Sequence, residues 1–406
     1  MRQVIEFIYH PMFWWVLSIL GLFYAYLGWR LVHPLNVKPT IKRAAALWLI
    51  LSWLSSLLPI MLNGLRGEFL WVTWVSSLVY LNLGFFSLIL PLLLLFDLAH
   101  GLVFLGILVK NKIKILVFKD QQPSKNPRGI LLRGNRFSLG LMLLAAPIFL
   151  IGSYNALSPP QIKPVEITYP ALHPDLQGLT ILQLSDLHLG DFLGQEFTQD
   201  LVARSRELKP DLVVLLGDLG EGRAAYLREE LAPLSKMEAT WGKFFVTGNH
   251  EYFGGKKDWV QAVRGLGYQV LENRHHILLV GGAKLLVAGV SDPMAEEMDP
   301  QNAPDLDKAL EGQPDADFRL LLAHQPMNFS SAVKAGFDLQ LSGHTHGGQY
   351  YPWLFFAVWV NGYLKGLHQE GDARLYVGQG TGFWGPPIRL GSKSEITLIT
   401  LTLEEP

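Results

Sequence analysis

Four apolar stretches, at roughly 12–32, 44–62, 70–96 and 137–153, constrain this 406-residue chain more than any other feature. Each approaches the ~20 apolar residues that an α-helix needs to cross the ~30 Å hydrocarbon core of a bilayer. The third runs on toward 109, interrupted by Pro91, Asp97 and His100. A soluble helical core rarely holds several runs of this length, so residues 1–153 are expected to form a transmembrane helical domain of about four spans. The first run does not read as a cleaved signal: only Arg2 supplies positive charge before it, and no small-residue cleavage site follows. Trp14, Trp15, Trp29, Trp48, Trp53, Trp71 and Trp74 lie near span ends, as interfacial aromatics do.

Charge sets the expected orientation, because basic loops stay in the cytoplasm. Arg30, Lys38, Lys42 and Arg43 flank the first loop. Lys110, Lys112, Lys114, Lys119, Lys125, Arg128, Arg133 and Arg136 crowd the third, opposed only by Asp120. The second loop, near 63–68, has Arg66 alone. Loops one and three are therefore expected inside, and the fourth span carries residues 154–406 outward. An extra crossing hidden in 70–109 would reverse this, and the charge bias favours an interfacial helix over 98–119 instead. Asp97 and His100, spaced i, i+3 at a span end, read as interfacial, and no polar constellation in the spans resembles a transport pathway.

The second half has a different chemistry. It holds 20 of the 34 basic and 31 of the 35 acidic residues, a net charge of −11. A nucleic-acid binder carries a basic face, so nucleic acid is not the expected partner. There is no cysteine, which excludes disulfides and thiolate metal sites. The prolines at 159, 160, 164 and 170 mark 154–178 as a linker and first strand. Beyond them, apolar runs at Thr180–Leu184, 212–216, 244–246, 277–280, 285–290, 318–323, 339–341, 375–377 and 396–401 read as strands. Helical patterns near 195–208, 224–235 and 257–265 fall between them, and Gly281-Gly282 marks a hairpin. Alternating strands and helices predict a layered α/β domain over 179–406.

Five of these runs end in metal-ligating residue types. They lead into Asp186-Leu187-His188, Gly217-Asp218, Gly248-Asn249-His250-Glu251, His324 and Gly343-His344-Thr345-His346. Ligands of layered α/β folds sit at the carboxyl ends of strands. The two pairs spaced by two, Asp186 with His188 and His344 with His346, aim both side chains to one side of a strand end. Carboxylates, imidazoles and an amide oxygen suit divalent Mn, Fe, Zn, Co or similar ions. Seven such groups are too many for one tetrahedral ion and suit two ions sharing a carboxylate. Singly, each motif has a plain structural reading: a surface turn at Asp186, a helix cap at Asn249, a satisfied core histidine at His324. Their joint order and strand-end placement favour the metal reading. His173, His275, His276 and His368 lack such support and are assigned to surface or packing roles.

As an ordered set over about 180–346, these motifs resemble the calcineurin-like metallophosphoesterases. Gly347-Gly348-Gln349 and the tail 378–401 resemble the membrane-anchored bacterial branch of that superfamily. The resemblance implies an αββα sandwich and hydrolysis of a phosphomonoester or phosphodiester. It implies Asp186, His188 and His346 on one divalent ion, Asn249, His324 and His344 on a second, and Asp218 bridging both. A hydroxide bridging the ions would be the nucleophile, and His250 would protonate or stabilise the leaving oxygen. Glu221 departs from the family pattern Gly-Asp-x-x-Asp, so a longer carboxylate must fit beside His250 if it positions that ring. Gly343 and Gly348 are expected to let the backbone approach the ions closely.

The run 349–360, rich in Tyr, Trp and Phe, is too short to span a bilayer. It reads equally as a buried core element or as a hydrophobic lip for an acyl or prenyl chain, with 383–387 on the same rim. The expected substrate is thus a phosphoester, lipid-linked or of the cell envelope, with membrane lipids as partners and no obligate protein partner indicated. A nucleotide or nucleotide-sugar pyrophosphatase (UDP-diacylglucosamine-like) is the alternative, and a non-enzymatic membrane sensor with a structural metal site a second one. The orientation gives a direct test. An alkaline-phosphatase fusion after Pro406 should be active and a fluorescent-protein fusion dark; bright cytoplasmic fluorescence would overturn the assignment.

Overall fold

The computed structural model describes residues 11–62, 65, 69–118, 134–312 and 315–404. Arg2, Arg66 and the stretch 119–133 of the basic third loop lie outside the described residues. The chain divides into two compact units, Met1–Met61 with Leu78–Ile151, and Leu62–Ser77 with Gly152–Pro406.

In the first unit, apolar sequence becomes long helices: α1 (Pro11–Leu27), α2 (Pro39–Ser55), α3 (Leu70–Phe118) and α4 (Gly134–Leu157), the last two shared with the second unit. Among the described residues, four windows are long and apolar enough to cross a membrane by length and composition: Phe13–Val32, Pro39–Met61, Leu70–Ile113 and Gly140–Leu157. The third differs from expectation. No break separates 70–96 from 98–118, and Pro91 sits inside one 49-residue helix. At 1.5 Å per residue α3 is about 73 Å long, more than twice a hydrocarbon core. Tyr24, Leu27, Leu49, Phe86, Ile89 and Leu93 share one buried cluster. At its end Arg30 Nη2 pairs with Asp97 Oδ1 at 2.6 Å, and the Tyr26 hydroxyl donates to Asp97 Oδ2 at 2.8 Å. A charge in so apolar a setting needs such partners. Asp97 therefore has a local structural role here, and His100 caps back onto the Phe96 carbonyl.

Among its described residues the second unit holds twelve strands: β1 (Gln161–Tyr169), β2 (Thr180–Leu184), β3 (Leu212–Leu215), β4 (Gly242–Phe245), β5 (Gln269–Val270), β6 (Arg274–Val280), β7 (Ala283–Gly289), β8 (Phe318–Leu322), β9 (Leu339–Ser342), β10 (Gly366–Glu370), β11 (Ala373–Val377) and β12 (Glu395–Leu403). They form two six-stranded sheets, ordered β1-β12-β2-β3-β4-β5 and β10-β11-β9-β8-β7-β6. β2 through β5 run parallel, as do β7, β8, β9 and β11. The Gly281-Gly282 turn joins β6 and β7 antiparallel, with Val280 opposite Ala283.

Strand alternation builds the layers. Leu212 and Val214 of β3 join Leu285, Leu320 and Leu341 of the other sheet in one buried cluster. Their neighbours Val213 and Leu215 pack instead with Leu201 and Trp259, on α5 (Gln195–Glu207) and α7 (Lys256–Gly265). On the second sheet Leu286 and Leu321 turn outward to Ala332 of α8 (Phe329–Lys334). The result is helix, sheet, sheet, helix. Because both central parallel runs are covered on both faces, their strands read as continuous apolar runs.

Sequence reading was weakest where short turns intervene. β1 forms inside the proline-rich 154–178 stretch read as linker and first strand; Pro164 is tolerated because β1 is an edge strand. The pattern over 224–235 resolves into short turns, Ala224–Tyr226, Arg228–Leu231 and Ala232–Lys236, with Pro233 inside the last.

Candidate metal centre

β2, β3, β4, β8 and β9 end side by side, and each is followed by a loop that turns at once. Asp186, His188, Asp218, His344 and His346 all have φ between 46° and 69°. Left-handed backbone disfavours L-residues, with Asp and His among the more tolerant. Holding five such residues together stores strain of the kind that concentrates at functional sites. The left-handed turns at these positions bring carboxylates and imidazoles from separate strand ends to one place.

Two groups converge. Asp186, His188 and His346 present ligand-type atoms within 4.8 Å of one another, and so do Asp218, His324 and His344. His188 Nε2 faces His346 Nε2 at 3.2 Å, with Asp186 Oδ1 3.6 Å from the latter. His324 Nε2 faces His344 Nδ1 at 3.2 Å. Asp218 Oδ2 lies between the groups, 3.3 Å from His324 Nε2 and 3.8 Å from His188 Nε2. Two pairs of imidazole nitrogens facing each other at this distance can share a proton or a cation. Asn249 begins α6 (Asn249–Gly254), and its buried side-chain oxygen has no hydrogen-bond partner. That unpartnered acceptor, and nitrogen and oxygen donors without sulfur, fit divalent ions of the Mn, Fe, Co or Zn type.

Surrounding groups orient the donors. His324 Nδ1 meets the Leu216 carbonyl at 2.5 Å, so Nδ1–H donates and the Nε2 lone pair faces Asp218. Glu221 Oε1 lies 2.9 Å from His188 Nδ1 and 3.1 Å from His250 Nδ1, tying both rings to one carboxylate. Those three residues form a third convergent group. The longer glutamate thus reaches two histidines at once, which the sequence pattern did not indicate. Glu251 accepts from the amides of Asp218 and Leu219 at 2.9 Å and of Gly248 at 2.6 Å, locking the β3 and β4 ends together. The His250 amide donates to Asp218 Oδ1 at 2.9 Å, and the His344 amide to Asp186 Oδ1 at 3.0 Å.

Electrostatics follow burial and charge. Burial raises Asp186. Burial would raise Asp218 too, but His324, His250 and His188 hold it well below the usual carboxylate range. Burial opposes charge on His250, yet Glu221 and Asp218 outweigh it and lift its pKa to about 9. Burial and the neighbouring His324 push His344 down to about 3. Glu251 rises to about 7 through burial and Asp218. The carboxylates thus draw positive charge into a buried niche.

One residue the sequence did not flag is Arg389, fully buried in the run Ile388-Arg389-Leu390. Its guanidinium donates to the carbonyls of Gln379 at 2.7 Å, Gly382 at 2.5 Å and His346 at 3.2 Å. Burial lowers its pKa to about 10, while Asp186 and Glu395 favour its charge. The only sequence signal was a charge flanked by apolar residues. At Gly343 a Cβ would lie 2.5 Å from Asp186 Oδ2, so the glycine lets the β9 loop pass close to that carboxylate. At Gly348 a Cβ would strike Leu354 at 2.3 Å, so that close approach seats the helix that follows.

Residues 179–348 match the model of the calcineurin-like phosphoesterase family. The chain is 35% identical over 268 residues to a zebrafish (Danio rerio) "Transmembrane protein with metallophosphoesterase domain", covering 64% of this chain and 61% of the relative. It is 33% identical over 267 residues to an uncharacterized metallophosphoesterase of Campylobacter jejuni, covering 65% and 69%. A Bacillus subtilis relative, also an uncharacterized metallophosphoesterase, is 31% identical over 260 residues, covering 62% and 89%. The chain thus spans less than two thirds of the vertebrate relative, and the likeness extends beyond bacteria.

The geometry makes two variants informative. A Cβ on Gly248 would lie 2.3 Å from Asp218 Oδ1, whereas one on Gly194 meets nothing within 4 Å. Gly248→Ala and Asp218→Asn should both lower the divalent-metal content of purified protein, read by elemental analysis, while Gly194→Ala leaves it unchanged. Full metal content in Asp218→Asn would remove Asp218 from the centre.

Proposed function

From the premise that the chain belongs to the calcineurin-like metallophosphoesterase family, we propose that it hydrolyses a phosphoester at a centre of two divalent ions. The observation that carries this is Asp218 Oδ2 lying between the two histidine groups, within 3.8 Å of His188 Nε2 and 3.3 Å of His324 Nε2. Asp186, His188 and His346 would hold one ion, Asn249, His324 and His344 the other, with Asp218 shared. Bound ions would supply Lewis-acid polarisation of the phosphoryl group and a lowered pKa for the attacking water.

The chain's own groups account for the remaining chemistry. Glu221 Oε1 stands 3.1 Å from His250 Nδ1, so Nε2 would be the nitrogen that meets the leaving oxygen. His188 packs edge-on against His250 with ring centroids 4.7 Å apart, fixing the ring plane. Phe253 and Trp384 stand 5.5 and 6.1 Å from the His250 ring and are 44% and 47% exposed, so they border the open side of the site. His250 thereby donates a proton to, or stabilises charge on, the departing alkoxide.

We read residues 1–153 as the membrane domain, 154–178 as the linker with β1, and 179–406 as the catalytic domain. Four long apolar helices support a membrane setting, as does the transmembrane name of the zebrafish relative. The Arg30–Asp97 pair supports a single crossing by α3, with the cytoplasmic end near Asp97 and the catalytic domain outside.

His250→Ala should keep near-normal metal content and lose ~10²- to 10⁴-fold in kcat on an alkyl phosphoester. The loss should shrink on a nitrophenyl ester, whose leaving group needs little protonation. Loss of metal in His250→Ala would make it a ligand or support, and an equal loss on both esters would replace proton donation by charge stabilisation.

A further inference from the structure

Immediately after His346 the chain forms α9 (Trp353–Asn361), a nine-residue helix without a charged residue. It is neither buried nor amphipathic in the usual sense. Phe355, Phe356 and Trp359 are 65%, 60% and 79% exposed, and Trp353, Val358 and Val360 are exposed too. Surface helices of soluble domains carry one apolar stripe toward a core and a polar face toward water. An exposed patch of this kind marks an interaction surface. At about 13–14 Å, α9 is too short to cross a bilayer.

The fold gives the patch a fixed address. Gly348 packs against Leu354, which seats α9 on the loop that carries His346. Tyr350 bridges to Leu390 and Gly391, and the Gln349 side chain holds the Trp384 and Pro386 carbonyls at 2.9 and 3.1 Å. The same 386–391 segment meets the end of α4: the Arg389 amide donates to the Gly152 carbonyl at 2.9 Å, and Ile388 and Leu390 fill the space a Cβ on Gly152 would need. Gly152 lies within the apolar window Gly140–Leu157, five residues before its end. That is about 7–8 Å along the helix, comparable to the ~5–10 Å to which interfacial helices sink. The segment that anchors α9 is therefore level with the last turns of a candidate span.

We propose that α9 is an interfacial helix that lies in the bilayer surface, with Phe355, Phe356 and Trp359 among the acyl chains. It seats the rim formed by Trp384 beside the metal centre at the headgroup level. This deepens, and rests on, the phosphoesterase reading: the substrate class is a phosphoester carried on a membrane lipid. Aromatic rings suit this position because they gain from the apolar boundary without crossing it.

The cysteine-free chain allows a clean test in the full-length protein. Trp359→Cys carries one spin label, and Glu238→Cys, an exposed residue of the same unit, serves as control. Both are reconstituted in phosphatidylcholine–phosphatidylglycerol vesicles, and collision with oxygen and with a water-soluble nickel chelate is measured. The label at 359 should favour oxygen and the control nickel. A nickel-accessible label at 359 would place α9 in water, and one shielded from both reagents would place it against protein; either overturns the proposal. In parallel, Trp359→Asp is assayed on bis(p-nitrophenyl) phosphate and on a dialkyl-chain nitrophenyl phosphodiester embedded in the vesicles. At least tenfold loss confined to the embedded ester is expected, and equal effects on both esters would overturn the substrate assignment. Failure of the unmodified protein on both esters would instead refute the phosphoesterase reading, while the label depth would still decide where α9 lies.

Discussion

The architecture of the centre depends on where one buried carboxylate is held. Asp218 follows β3 with a left-handed backbone, its amide bonded to Glu251 and its Oδ1 taken by the His250 amide. Those contacts leave Oδ2 turned toward His188 and His324. Gly217 and Gly248 pass so closely that a Cβ on either would strike backbone or carboxylate within 2.3 Å. The β3 and β4 loops are therefore interlocked, and neither can shift without moving Asp218. A buried carboxylate is costly unless compensated, and the surrounding imidazoles, or cations in the same niche, provide that compensation.

The rest of the domain can be understood as support for this arrangement. Two sheets packed face to face fix the strand ends, and helices over both outer faces make the central strands rigid and dry. Rigidity matters because a displacement of about 1 Å in a positioned group can cost two orders of magnitude in rate. Arg389 extends the scaffold to the far side by gathering the carbonyls of Gln379, Gly382 and His346 around one buried guanidinium. The same stretch of tail holds the end of α4 and the root of α9, so the loop that carries His346 and the apolar surface share one anchor. A purely structural metal site would not require a ring such as His250, held by Glu221 at the open side of the centre.

Much of this was legible in the sequence because the signals were local. Apolar runs ending in Asp, Asn or His marked β2, β3, β4, β8 and β9, and β2 was placed at Thr180–Leu184, as observed. Asp186, His188, Asp218, His324, His344 and His346 come together in the structure as their spacing suggested. What escaped depended on long-range contacts. Glu221 looked like an imperfect match until its side chain was seen to reach His188 and His250 together. Arg389 is separated from His346 by 43 positions, and nothing local announces its bond to that carbonyl. The run after Gln349 could not be assigned as core or rim because periodicity does not distinguish a buried apolar helix from an exposed one; its exposure distinguishes them.

The central claim, two ions sharing Asp218, is tested most directly by locating metal. Crystals of the protein grown with Mn²⁺ would be measured for anomalous scattering at energies above and below the manganese edge. The account predicts two peaks separated by ~3.5–4 Å, one beside Asp186, His188 and His346, the other beside Asn249, His324 and His344, with Asp218 in contact with both. A single peak, or a pair lying away from Asp218 in protein that still hydrolyses phosphoesters, would contradict it.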